Sequence, residues 1–217
     1  MKKTLAGIFA LFMLIFGNSI FALEKSVGID LGETIELQDG SLYNAHSFSV
    51  NFDVAWENFG IKPFFAFSFS KSQHSNMPNE VVNYNYQVDS YAEIFGVKPY
   101  FIFRKAEKSS SYLGLLFSLN FCQTSRETFK VLIEGTDRKS NYVSGELGFF
   151  VGNKWNVNEH ITIFAECDFA SRLFAKTTTY ELGGESVDDY HSAMLGGGGT
   201  NSWMLFITPR LGASWKL

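Results

Sequence analysis

Apolar and polar residues alternate along most of this chain with a period of two. In the stretch HSFSVNFDVAWE, Phe48, Val50, Phe52, Val54 and Trp56 share one face, and Ser47, Ser49, Asn51, Asp53 and Ala55 the other. KPFFAFSFS sets Phe65, Phe67 and Phe69 against Ala66, Ser68 and Ser70. SYLGLLFSLNFC sets Leu113, Leu115, Phe117, Leu119 and Phe121 against Gly114, Ser118, Asn120 and Cys122. In ITIFAECDF the apolar set is Ile161, Ile163, Ala165, Cys167 and Phe169, opposite Thr162, Phe164, Glu166 and Asp168. Successive side chains of a strand point to opposite faces, so each stretch predicts a half-buried strand. The predicted strands run over 26–36, 47–57, 60–71, 90–104, 110–122, 141–153, 159–171 and 202–217. Helical periodicity is almost absent.

The connections alternate in length. ENFG, KAEKSS and NKWNVNE are short, whereas those near 37–46, 72–89, 123–140 and 172–201 are long. Short turns at one end and long loops at the other form the pattern of an up-and-down antiparallel barrel in an outer membrane. The echo between FGIKPFFAF and FGVKPYFIF reflects shared strand chemistry, since no repeat period continues from it.

Alternation alone also fits a soluble barrel with its apolar face inward. Eight strands leave an interior only just filled by side chains, and Phe and Trp from every strand would overfill it. The opposite face would then meet water, yet it is mainly Gly, Ser, Ala, Asn and Tyr. Charged residues make up 18% of the chain, below the roughly 25% of soluble domains. With the large apolar residues turned toward lipid, both facts fit. Closure then pairs the backbone groups, as a lipid environment demands.

The start, MKKTLAGIFALFMLIFGNSIFA, has two lysines, an apolar run and small residues, the layout of a secretory signal peptide. The expected organisation is a signal peptide over 1–22 and a barrel domain over 23–217. Removing 1–22 takes two of the 18 basic residues and none of the 22 acidic ones, leaving the chain more acidic than its formal −4. An acidic exported chain without a basic run argues against nucleic acid as a partner. Two cysteines are too few for a disulfide-stapled scaffold.

The last eight residues, RLGASWKL from Arg210 onward, resemble the C-terminal recognition signal of bacterial outer-membrane barrels. Arg210, Gly212, Trp215 and Leu217 fill its polar, glycine and two hydrophobic places, although family members more often end in Phe or Trp. The mature chain resembles the small eight-stranded barrels of the OmpA, OmpX and OmpW type. That resemblance implies an outer-membrane location, contact with outer-membrane lipid and handling by the barrel-assembly machinery. The likeness is architectural and assigns no function.

Charged positions on the predicted inward face are Asp30, Asp53, Lys62, Lys98, Arg104, Glu146, Glu166, Asp168 and Arg210. Mixed signs predict a salt-bridged lumen, where pairing offsets desolvation; a polar path for a solute is the alternative. Resemblance to the lipid-deacylating barrels would require a His-x-Ser pair, and none of His46, His74, His160 or His191 has Ser two places on. His160, Thr162 and Glu166 could mimic a base-activated nucleophile, but they adjoin a short turn, far from outer-leaflet lipid. Cys122 and Cys167 are placed on opposite faces, so neither a bridge nor a shared metal site is expected. In the long loops, Phe129–Ile133 could extend a hairpin, LGGGGTN reads as a tether, and Asp188 and Asp189 read as a solvated acidic pair. The expected function is structural, adhesive or surface-binding, through loops that meet an extracellular ligand, without catalysis, cofactor or metal. The alternatives are an OmpW-like conduit for small apolar solutes and, third, a membrane-embedded lipid-modifying enzyme.

Overall fold

The computed structural model describes residues 24–38, 41–75, 85–129, 138–181, 186–191 and 205–217; residues 1–22, 130–133 and 195–201, on which the expectations of a signal peptide, a hairpin extension and a tether fall, lie outside them. Nine strands occur in chain order among the described residues: β1 (Glu24–Gln38), β2 (Ser41–Ala55), β3 (Phe59–Ser75), β4 (Asn85–Lys105), β5 (Ser109–Phe129), β6 (Arg138–Asn156), β7 (Ile161–Glu181), β8 (Ser186–His191) and β9 (Leu205–Lys216). Each of β1 to β7 pairs antiparallel with the next, β7 also pairs with β9, and β9 closes on β1. The wall is therefore an eight-stranded closed barrel. The ninth strand, β8, pairs with β7 beyond the end of β9, from Ala175↔His191 to Tyr180↔Ser186. Asp188 and Asp189 lie on it.

Large apolar side chains cover the outside. The outward series Phe95–Phe103 on β4, Leu113–Phe121 on β5, Val143–Val151 on β6 and Ile161–Phe169 on β7 are each nine residues long, within the ~9–11 residues a transmembrane strand needs. Leu31, Leu115, Leu211 and Trp215 are about half exposed or more, which in a membrane means exposed to lipid. Rings meet across strands on this surface, as in Phe65 with Phe95 at 4.6 Å and Phe149 stacked on Phe169 at 4.9 Å. Trp56, Trp155 and Trp215 mark the short-turn end, where amphipathic rings suit the membrane interface.

Among the described residues, Pro63, Pro99 and Pro209 sit in this wall and each coincides with a break in one ladder. Pairing skips Pro63 between Asn51 and Val54 of β2, Pro99 between Val97 and Tyr100 of β4, and Pro209 between Gly32 and Ile35 of β1. A proline has no N–H to give the neighbouring strand, so it interrupts the ladder on that side.

Three features depart from the sequence reading, the first being β8, which lies in the stretch 172–201 read as a loop. The long-loop ends of β4, β5, β6 and β7 run well past the predicted limits, to Asn85, Phe129, Arg138 and Glu181. Runs such as KTTTYE keep β-branched and aromatic residues with no turn residue among them, so the ladder continues above the lipid. A bulge between Ile102 and Arg104 shifts the β4–β5 register and takes Arg104 off the inward face; it is exposed.

Candidate functional site

Inside the barrel the inward residues, odd-numbered on β2 and even-numbered on the other wall strands, form a dense column. At the short-turn end Asp53 of β2 accepts the Tyr100 hydroxyl at 2.7 Å and is paired with the Lys154 ammonium. Lys154 also donates to the Tyr100 oxygen at 3.0 Å. Glu166 of β7 sits next: it accepts from Lys62, from Lys98 at 2.9 Å and from the Tyr112 hydroxyl at 2.8 Å. Lys98 bridges onward to Asp168 at 2.7 Å, which accepts Arg210 Nε at 2.8 Å. Arg210 Nη1 reaches Asp30 at 2.9 Å, where Asn51 at 2.9 Å and Ser49 also donate. A single chain of charge thus runs Lys62, Glu166, Lys98, Asp168, Arg210, Asp30 across five strands.

The signs balance. Asp30, Asp53, Glu166 and Asp168 are matched by Lys62, Lys98, Lys154 and Arg210. Burying a charge without a partner is prohibitive, whereas a satisfied network is tolerated and specifies one arrangement. Aromatic faces complete the solvation: Lys62 lies 4.4 Å over Phe164 and Lys98 4.9 Å over Phe150. Tyr112, Phe150 and Phe164 are fully buried. They fit because glycine faces them. A Cβ on Gly152 would meet the Tyr112 ring at 2.6 Å, and one on Gly114 the Phe150 ring at 2.5 Å. Above the charges, Leu116, Ala170 and Phe206 pack together with Phe64 against them.

Of the residues singled out from sequence, Asp30, Asp53, Lys62, Lys98, Glu166, Asp168 and Arg210 meet in this column. Glu146 stands higher, accepting from Ser118 at 3.1 Å, and Arg104 lies outside. Lys154 and Tyr112 were missed, although their even phase on β6 and β5 carried the signal. The interior is also more aromatic than a polar-lumen reading implies, through Phe64, Phe150, Phe164 and Phe206. His160 is in the exposed turn, Thr162 donates to Asn156 at 3.0 Å, and Glu166 is occupied by three donors, so those three do not form a catalytic group. Cys122 and Cys167 form no disulfide, and among the described residues no cluster fits a metal ion. Gly212, Trp215 and Leu217 lie at the β9 end, with Trp215 paired to Val27 and Ile161, and Leu217 N donating to the Lys25 carbonyl at 2.9 Å.

Below the column a cavity of about 250 Å³ opens at the short-turn mouth, lined by Glu24, Asp53, Ser110, Lys154, Thr162 and Lys216 among others. Asp53 and Lys154 of its lining are the two groups bonded to the buried Tyr100 hydroxyl. At the opposite end the wall is uneven. β2 leaves β3 after His46↔Phe69, and the described part of β9 begins at its pairing Ser171↔Leu205, while the described residues of β3 to β8 continue together past these rows as one sheet.

An all-β closed barrel with an apolar belt, a filled lumen and a one-sided extension defines a small outer-membrane-type β-barrel membrane protein. No protein-family model matches the chain, and no curated protein does. Among solved structures it is similar to Ail, the attachment invasion locus protein of Yersinia pestis, solved with the heparin analogue sucrose octasulfate. The two share 16% identity over 89% of this chain and 98% of Ail, with a TM-score of 0.50. It is also similar to a major outer membrane protein from Thermus thermophilus, at 9% identity over 89% of this chain and 99% of that one, with a TM-score of 0.54. At such identities the likeness establishes the fold.

Proposed function

We propose that this protein is a non-enzymatic outer-membrane barrel that binds an extracellular ligand through the projecting β3–β8 sheet and its loops. The carrying observation is the division of the chain's length: β4, β5 and β7 each have 21 residues, roughly twice the span a membrane requires. The surplus is ordered sheet on the long-loop side, and exposed segments on a rigid scaffold are where recognition concentrates. The filled column supports this reading over an OmpW-like conduit, because beyond the Asp53 and Lys154 that line the short-turn cavity the interior is occupied by the buried rings of Tyr100, Tyr112 and Phe150. The occupied state of Glu166 likewise supports a structural use of the lumen carboxylates over catalysis.

Replacing residues 175–204 by a short Gly/Ser turn tests the proposal, since it removes β8 and the upper part of β7 while keeping the Ser171↔Leu205 pairing. The variant is expected to fold and to lose retention of its proteoliposomes on a surface coated with matrix proteins and sulfated glycans. Undiminished retention would sink the proposal.

A further inference from the structure

We infer that the cavity at the short-turn mouth is a site for a small zwitterion, an amino acid or dipeptide, held between Glu24 and Lys216. Both side chains line it, from the inward phase of β1 and β9. Lys216 pairs with Ser26, two residues on from Glu24, which makes the two charged residues diagonal neighbours with Cα atoms roughly 7–8 Å apart. Among the described residues neither side chain has an ion-pair or hydrogen-bond partner. The other charges of the lining are engaged or stand at the rim. Asp53 and Lys154 are paired with each other, and Lys105 donates to the Glu57 carbonyl at 2.5 Å. Lys25 is in the outward phase of β1, and Glu107 lies in the exposed turn after β4. One carboxylate and one ammonium thus face the same cavity from adjacent strands without meeting.

That juxtaposition is the complement of an amino acid. The ligand's ammonium donates to the Glu24 carboxylate and its carboxylate accepts from the Lys216 ammonium, both charge-assisted bonds. A ligand with one charge satisfies only one of the two groups. The volume fits the class as well. About 250 Å³ lies below the roughly 300–1,000 Å³ of pockets that take drug-sized molecules, so the occupant is small. Ser26, Ser110 and Ser214 line the cavity with hydroxyls that both donate and accept, and Trp56 and Ile102 give it an apolar side. In outer-membrane barrels the short turns face the periplasm, so the ligand enters from that side and the site is separate from the long-loop surface.

The test uses the full mature protein in detergent micelles, titrated with glycine and with glycylglycine and followed by the amide resonances of Ser110 and Ser214. Saturable shifts at these two amides are expected. N-acetylglycine, which keeps only the carboxylate, and glycinamide, which keeps only the ammonium, should each bind about tenfold more weakly or worse. Glu24→Gln and Lys216→Gln should each lower the affinity for glycine by a similar factor, about tenfold. Glu159→Gln, in the exposed turn before β7 and outside the lining, should change it less than about twofold. Heat-dependent gel migration verifies that each variant is folded, and the two blocked analogues test the parent protein where a variant fails to fold. Tighter binding of glycine or of glycylglycine reads the spacing between the two charges, and either supports the site. Blocked analogues that bind as well as glycine, equal loss in Glu159→Gln, or no saturable shift with either zwitterion would overturn it. The proposed surface binding lies at the other end of the barrel and stands in each of these cases.

Discussion

Glu166→Gln is the most informative single perturbation of the lumen. The carboxylate is buried and receives three donors, from Lys62, Lys98 and Tyr112. Lys98 keeps Asp168 after the change, but Lys62 loses the carboxylate with which it is paired. Breaking a buried pair by removing one partner typically costs about 3–5 kcal/mol, because the remaining charge is left uncompensated. The amide retains an oxygen for Tyr112 and keeps the side-chain volume, so no cavity adds to the loss. The expected destabilisation is thus about 3 kcal/mol or more, read by urea unfolding in lipid vesicles with tryptophan fluorescence as the signal. Lys62→Met in the same background should recover much of it, as replacing both members of a buried pair by apolar groups is often neutral. A Glu166→Gln variant within about 0.5 kcal/mol of the parent, a range typical of surface changes, would refute the claim that this chain of charge holds the interior together.

Other expectations follow from the same geometry. Changing Trp215 and Leu217 to Asp should prevent membrane assembly; the lipid-face penalty for acids is below the ~2–4 kcal/mol of a midplane basic residue, so normal surface levels would show that the terminal strand is no assembly signal. Mass spectrometry after alkylation without reductant should find Cys122 and Cys167 both modified, because they occupy opposite faces of the wall; a bridged species would displace the register of β5 or β7. In planar bilayers the protein should show at most rare, small openings, since the column leaves the interior filled; steady conductance of one size would promote the conduit.

Much of this architecture is local in origin. The period of two assigns Leu113, Phe117 and Phe121 to lipid and Ser118, Asn120 and Glu166 to the lumen, because a strand allows no other placement of successive side chains. Belt, lumen and short turns were therefore legible along the chain, and so was membership of Asp30, Asp53 and Arg210 in one interior. Which charges touch was not. Asp30 and Arg210 are 180 residues apart, and their contact exists because β9 closes on β1 in one register. The same long-range pairing brings Lys154 to Asp53 and Tyr112 to Glu166, and fits rings over Gly114 and Gly152. The bulge that turns Arg104 outward is likewise a property of β4 against β5. Alternation determines the face of each residue; closure of the barrel, which joins distant strands at one register, decided its neighbours.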